Sequence, residues 1–182
     1  MQKHALIFGA LSGGVMILLF MISQPLLYNE DGSLDMKGGE ILGYISMLIS
    51  LSMVFFGVRS FRDQHLNGSI TFGKAFQVGL LITLVASVIY VVGWMIYYNT
   101  SERMHEFPEL YLNHMLEELK KSGKSAAEMV KQEAELRKNM ELYKKPLVMI
   151  AITFMEIFPV GLIVDVISAL LLKKKPGNPA VQ

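Results

Sequence analysis

Four long stretches with little or no charge fix what this chain can fold into. Ala5 to Leu27 runs for 23 uncharged residues, Ile41 to Val58 for 18 and Ala75 to Tyr98 for 24. A fourth stretch, Leu147 to Leu172, is equally apolar except for Glu156 and Asp165, with Pro159 between them. A transmembrane helix needs roughly 20 apolar residues, and about 17–18 is the short limit. Inside lipid the backbone must satisfy its own hydrogen bonds, so helices are the expected form. The period-2 alternation of barrel strands is missing. The chain therefore reads as one all-α integral membrane domain over residues 1–182, with spans at 5–27, 41–58, 75–98 and 147–172. The first run exceeds the roughly 7–15 apolar residues of a signal-peptide core and ends in Ser23-Gln24-Pro25, not a small-residue cleavage site, so it reads as a retained helix.

Composition removes several function classes. A formal charge of +1 gives no general basic surface for nucleic acid. With no cysteine there is no disulfide framework, thiolate metal site or cysteine nucleophile. The 13 methionines are scattered and suit apolar packing better than a metal relay.

Charge in the short connections sets an expected orientation. Residues 28–40 carry Glu30, Asp31, Asp35 and Glu40 against Lys37. Residues 59–74 carry Arg59, Arg62 and Lys74 against Asp63, while Lys3 precedes the first span and Lys173, Lys174 and Lys175 follow the last. Positive charge favours the cytoplasmic side, which places both termini and the middle loop inside. Lys144 and Lys145, at the outer start of the fourth span, count against this, but long segments weigh little in the rule. Tyr28, Tyr44, Trp94, Tyr97 and Tyr98 then fall near the outer interface, where amphipathic rings concentrate.

Residues 99–145 form the one sizeable polar segment. Phe107, Tyr111, Met115 and Leu119 recur every fourth residue, and Met129, Leu136, Met140 and Tyr143 return to one face of a second helix. Between the two, after Ser122-Gly123-Lys124, Ser125 and Glu128 match a capping box. Glu117–Lys121, Glu133–Arg137 and Glu141–Lys145 are spaced for helical ion pairs, and Pro108 marks a first helical turn or a kink. The expectation is an extracytoplasmic amphipathic helical hairpin inserted between spans three and four. Asn99-Thr100-Ser101 matches a glycosylation sequon, a short pattern with a high chance rate.

Small residues recur at four-residue spacing inside three spans: Gly9 and Gly13; Ala75, Gly79, Thr83 and Ser87; Gly161, Asp165 and Ala169. Such ridges let helix backbones approach where lipid supplies no hydrophobic drive. They favour a compact four-helix bundle without separating contacts inside one chain from contacts in a homo-oligomer. Phe8-Gly9 echoes Phe72-Gly73, too little to establish a repeat.

Glu156 and Asp165 are the chemically interesting residues. Nine residues apart, they lie on opposite faces of a straight helix and about 13 Å apart along it, so they cannot jointly bind one ion. A proline between them can bend the helix without changing their depths much. No lysine or arginine lies within any span, so neither acid has a ready ion pair. Gln77, Thr83 and Ser87, or Ser46, Ser50 and Ser52, are candidate hydrogen-bond partners. A neutral acid can act as interhelical glue; an acid in contact with water can serve an ion or proton path. Glu156, about 5 Å from the middle of its span, is the stronger functional candidate.

Other chemistry is missing. His4, His65, His105 and His114 are scattered, and His105 with Glu109 supplies two metal ligands without a third. There is no phosphate loop, dinucleotide fingerprint or zinc-protease motif. Arg59, Arg62 and Lys74 form a small basic cluster suited to headgroups.

The run Ile70-Thr71-Phe72-Gly73-Lys74-Ala75-Phe76-Gln77-Val78-Gly79, preceded by Phe56-Gly57-Val58-Arg59, resembles a family of four-span bacterial membrane proteins. So does Phe158-Pro159-Val160-Gly161 leading to Ile167-Ser168-Ala169 and the terminal lysines. That family, common in Bacteroidetes, is known as domain of unknown function 4199. The resemblance covers nearly the whole chain, most loosely in the hairpin, and implies a four-helix inner-membrane architecture without an assigned activity. Because no nucleophile–base or metal constellation is legible, the expected role is non-enzymatic, structural or protein-interacting, in the cell envelope. Lipid and a second copy or an envelope protein are its partners, and no cofactor is implied. The alternative is a small ion- or proton-coupled carrier using Glu156.

Overall fold

The computed structural model describes residues 1–27, Asn29 and 35–174, without the side chain of residue 103. Tyr28, Glu30, Asp31 and Lys175, used above for orientation, lie outside the described residues. Among the described residues six α-helices follow one another: α1 (Gln2–Ser23), ending in a short 3-10 turn (Gln24–Leu27); α2 (Met36–His65); α3 (Phe72–Thr100); α4 (Glu102–Lys121); α5 (Ala126–Tyr143); and α6 (Pro146–Leu172). Four of them, α1 with its turn, α2, α3 and α6, are long and apolar enough to cross a membrane.

The helices outrun the apolar stretches. α2 extends from Ile41–Val58 to Met36–His65 because charged residues continue the helix into polar surroundings. Asp35 starts it by accepting a hydrogen bond from the Gly38 N–H, at 2.9 Å. Thr71 caps α3 in the same way through the Lys74 N–H. Pro146 opens α6, where its missing N–H costs nothing.

α1 packs on α2 and α3, α6 packs on the other side of the same two helices, and α2 also touches α3. The interior of this bundle is unlike that of a water-soluble protein. Ser12, Ser50, Thr83, Ser87, Thr153, Asp165 and Ser168 are buried, whereas Leu6, Ile7, Leu18, Ile41, Val92, Ile163 and Leu171 are more than half exposed. Small and polar residues share the interior with apolar ones such as Leu51, Val54, Ile82 and Ile157, while bulky apolar side chains also cover the outside, as lipid permits. The chain is a multi-pass membrane protein.

Glycines set the helix approaches. A β-carbon on Gly13 would lie 2.8 Å from Ile89 Cβ and 2.9 Å from the Ala86 carbonyl oxygen, and one on Gly9 would crowd Val85. The α1 ridge therefore seats on α3. The opposite ridge of α3 meets α6, where Gly79 faces Asp165 and Thr83 faces Gly161.

One end of the bundle, here the terminal end, is tied together by backbone and side-chain bonds. Ile70 and Lys174 exchange two antiparallel backbone hydrogen bonds of 3.0 and 2.8 Å. The Arg62 guanidinium reaches the Leu172 carbonyl, relieving the free carbonyls at the end of α6. The other end carries the hairpin of α4 and α5. Ser125 and Glu128 form the full capping box there, and those hydrogen bonds hold the Glu128 carboxyl below its usual range.

Glu133 pairs with Arg137 at 2.8 Å. The other two expected pairs shift by one residue. Glu141 binds Lys144 at 2.8 Å, since Lys145 already caps α6 and has left the helix. Lys121 sits 3.7 Å from Glu118, its equally near neighbour on the helix surface. Pro108 lies inside α4, beyond its first turn, and is fully buried.

Candidate functional site

The two halves of the bundle treat their acids differently. In the terminal half, α2 buries Leu51, Val54, Val58 and Phe61, and α3 buries Ala75, Val78, Gly79 and Ile82. Asp165 closes against them with no exposed surface. Its carboxylate occupies the space that a side chain at position 79 would need, with Val54 beside it. Neither carboxylate oxygen finds a hydrogen-bond partner among the described residues. Gln77, Thr83 and Ser87 do not fill that role. Gln77 is exposed, Thr83 donates to the Gly161 carbonyl at 3.5 Å, and the buried Ser87 hydroxyl is itself unpartnered.

In the hairpin half, α2 buries nothing between Met36 and Ile49. The helices leave a cavity of about 430 Å³ there, roofed by α4. Its walls come from five elements: Met16 and Phe20 of α1, Glu40, Gly43, Tyr44 and Ser46 of α2, Tyr90 and Trp94 of α3, Phe107, Tyr111 and His114 of α4, and Glu156 of α6. The volume falls within the roughly 300–1,000 Å³ usual for small-molecule sites. Glu156 makes no hydrogen bond or ion pair with any described residue and stands exposed in this wall.

Edge-to-face ring contacts brace the cavity, with Phe20 5.1 Å from Trp94 and 5.3 Å from Tyr97 between ring centres. Trp94 also meets Phe107 of α4 at 6.4 Å, joining the hairpin to the spans. The apolar stripe of α4 foreseen from its period is thus the roof: Phe107, Tyr111 and Met115 line the space. The site is electronegative. Burial, followed by the charges of Glu40 and Glu156, holds the Tyr111 phenol above its ordinary value. Burial, with Glu156 adding to it, pushes Tyr143 of α5 up to about 12.

A family model described as "Protein of unknown function (DUF4199)" matches residues 7–174. The chain belongs to the DUF4199 family. No curated protein and no solved structure matches it.

Within this DUF4199 fold the two acids singled out from the sequence are separated, as their spacing on α6 requires. Glu156 faces the cavity and Asp165 the α2–α3 seam. Pro159 lies between them inside a helix that continues past it. Of the serines on α2 named as partners, Ser46 lines the cavity, Ser50 donates to the Ser46 carbonyl and Ser52 to the Ile49 carbonyl, so none bonds either acid. Glu40, Tyr44, Tyr90 and His114 were not foreseen as a group, because no spacing rule links residues on three helices. The histidines are less scattered than they read: His4 and His65 stack edge to face at 5.4 Å, and His4 Nε2 lies 3.0 Å from the Gly57 carbonyl oxygen. His105 contacts the Tyr98 ring, with centres 6.2 Å apart. Among the described residues no three potential metal ligands converge.

Proposed function

We propose that this DUF4199 protein is a small, non-enzymatic binding protein of the bacterial inner membrane. It holds a ligand in the hairpin-half cavity and presents the hairpin to envelope partners. The observation that carries this reading is the Glu156 carboxylate, unpaired among the described residues, in the wall of a 430 Å³ space. An intramembrane ionisable group without a partner is costly and marks a working site more often than a structural one. The short basic segments favour both termini inside and the hairpin outside. The absence of cysteine makes single-cysteine mapping clean. An impermeant thiol reagent on intact spheroplasts should label Ser122→Cys in the hairpin and spare Ser69→Cys between α2 and α3; the reverse pattern inverts the orientation.

Purification in native lipid followed by native mass spectrometry tests the binding role. A stoichiometric small molecule retained by wild type and lost from Glu156→Gln is the expected result. A wild-type protein that retains none, across preparations, argues for a purely structural role.

A second reading is favoured by one observation: Asp165, also unpartnered, lies on the same helix as Glu156. Two acids at successive depths suit a stepwise proton or cation path. An ion-coupled carrier should show a sodium- or pH-dependent melting temperature that disappears in Glu156→Gln. Identical curves for both proteins from pH 5 to 9 remove that reading at this residue.

A further inference from the structure

We propose that the cavity is a site for a small organic cation with an apolar body, such as a tertiary or quaternary amine, its charge seated at Glu156. The proposal rests on the binding reading above and names the ligand class. Three features of the site support it independently.

The first is charge. Among the described residues the cavity is lined by the carboxylates of Asp35, Glu40 and Glu156 and by the His114 imidazole, with no lysine or arginine. Asp35 is already engaged in capping α2, which leaves Glu40 towards the hairpin and Glu156 deeper in the span. An anion would meet uncompensated repulsion there, and a neutral guest would leave the Glu156 charge unanswered.

The second is the kind of cation. A dehydrated metal ion needs several oxygen or nitrogen ligands, as many as six to eight for calcium. No three potential ligands converge among the described residues. Replacement of a hydration shell by one carboxylate would be a poor exchange for such an ion. An alkylammonium carries its charge diffusely on carbon and has no tight shell to lose.

The third is the wall. Phe20, Tyr44, Tyr90, Trp94, Phe107 and Tyr111 contribute six aromatic rings. Ring faces attract a cation through their quadrupoles, most strongly when water is excluded, and aromatic cages are the usual means of holding quaternary amines. Rings with polar tips also suit a guest that is apolar at one end and charged at the other.

Trp94 is the one tryptophan in the chain and lines the cavity, so it reports occupancy by fluorescence. The full chain in micelles of an uncharged sugar detergent, which carries no ammonium group, should be titrated with three probes sharing a phenylmethyl body: benzyltrimethylammonium, phenylmethanesulfonate and benzyl alcohol. Calorimetry supplies the stoichiometry. Saturable one-to-one binding of the ammonium, none of the sulfonate, and a loss of about tenfold in affinity in Glu156→Gln are expected, the scale of one desolvated cation contact. Equal binding of the ammonium and the sulfonate, or an unchanged affinity in a folded Glu156→Gln, overturns the cation assignment and leaves the binding cavity standing. So does saturable binding of benzyl alcohol alone. Failure of all three probes overturns the cation assignment and the binding reading together. Should Glu156→Gln not fold, the contrast between the two ions on wild type decides, with Glu40→Gln as the second variant.

Discussion

The terminal half and the hairpin half of this bundle are built from the same four helices, yet they solve opposite problems. In the terminal half, glycines at 57, 79 and 161 let side chains from facing helices take the space of a missing β-carbon. The seam closes so tightly that Asp165 has no solvent and, among the described residues, no hydrogen-bond partner. In the hairpin half, the same α2 presents Gly43 to open space and buries no residue before Ser50. There α2 stands apart under α4, while α1 and α3 stay in contact through Ile17 and Gly93, and Glu156 faces a cavity. Two carboxylates nine residues apart on one helix thus meet different surroundings, and the difference comes from small residues on the neighbouring helices. Close packing of α2 locks one half, and its absence along the first turns of that helix leaves room for a guest in the other.

Aromatic truncation on α2 should divide the halves most strongly. Phe61 is 4% exposed and Tyr44 56%. Phe61→Ala should cost about 3 kcal/mol of stability, as large buried rings do on truncation, whereas Tyr44→Ala should cost less than about 1 kcal/mol. Reversible unfolding in mixed micelles reads both; equal losses would dissolve the distinction between the halves.

A smaller change makes a finer comparison. Gly79→Ala forces a β-carbon onto the Asp165 carboxylate and should destabilise by about 2 kcal/mol, typical of overpacking. Gly43→Ala meets nothing within 4 Å and should be neutral or stabilise by up to about 1 kcal/mol, because alanine is the better helix former. A Gly79→Ala protein as stable as Gly43→Ala would mean that the α3–α6 seam is loose.

The sequence made the spans and hairpin legible because each depends on local chemistry. Uncharged length marked the four spans, and Ser125 with Glu128 marked the start of α5. Helix ends were less clear on α2, because hydropathy records where lipid ends and not where the helix does: Lys37, Glu40, Arg62 and Asp63 are helical but polar. The opposite facing of Glu156 and Asp165 followed from their spacing alone. Which of them would be sealed did not, since that is decided by Gly79 and Val54 on other helices. The cavity was out of reach for the same reason. Tyr44 and Trp94 read as interface aromatics until the fold set them, with Tyr90, around one space.

The central claim is that the hairpin half admits water and small solutes while the terminal half does not. Two isosteric replacements test it directly in a chain without native cysteine. Ser46 lines the cavity, and Ser168 is 2% exposed in the terminal half, four residues from the end of α6. Depth alone would favour reaction at Ser168. The measurement is the rate at which a water-soluble trimethylammonium methanethiosulfonate reagent modifies Ser46→Cys and Ser168→Cys in nanodiscs open on both faces. Modification at Ser46→Cys at least about tenfold faster is the expected result, equivalent to about 1.4 kcal/mol of differential access. Equal rates, or a faster Ser168→Cys, would contradict the division of the bundle into an open half and a closed one.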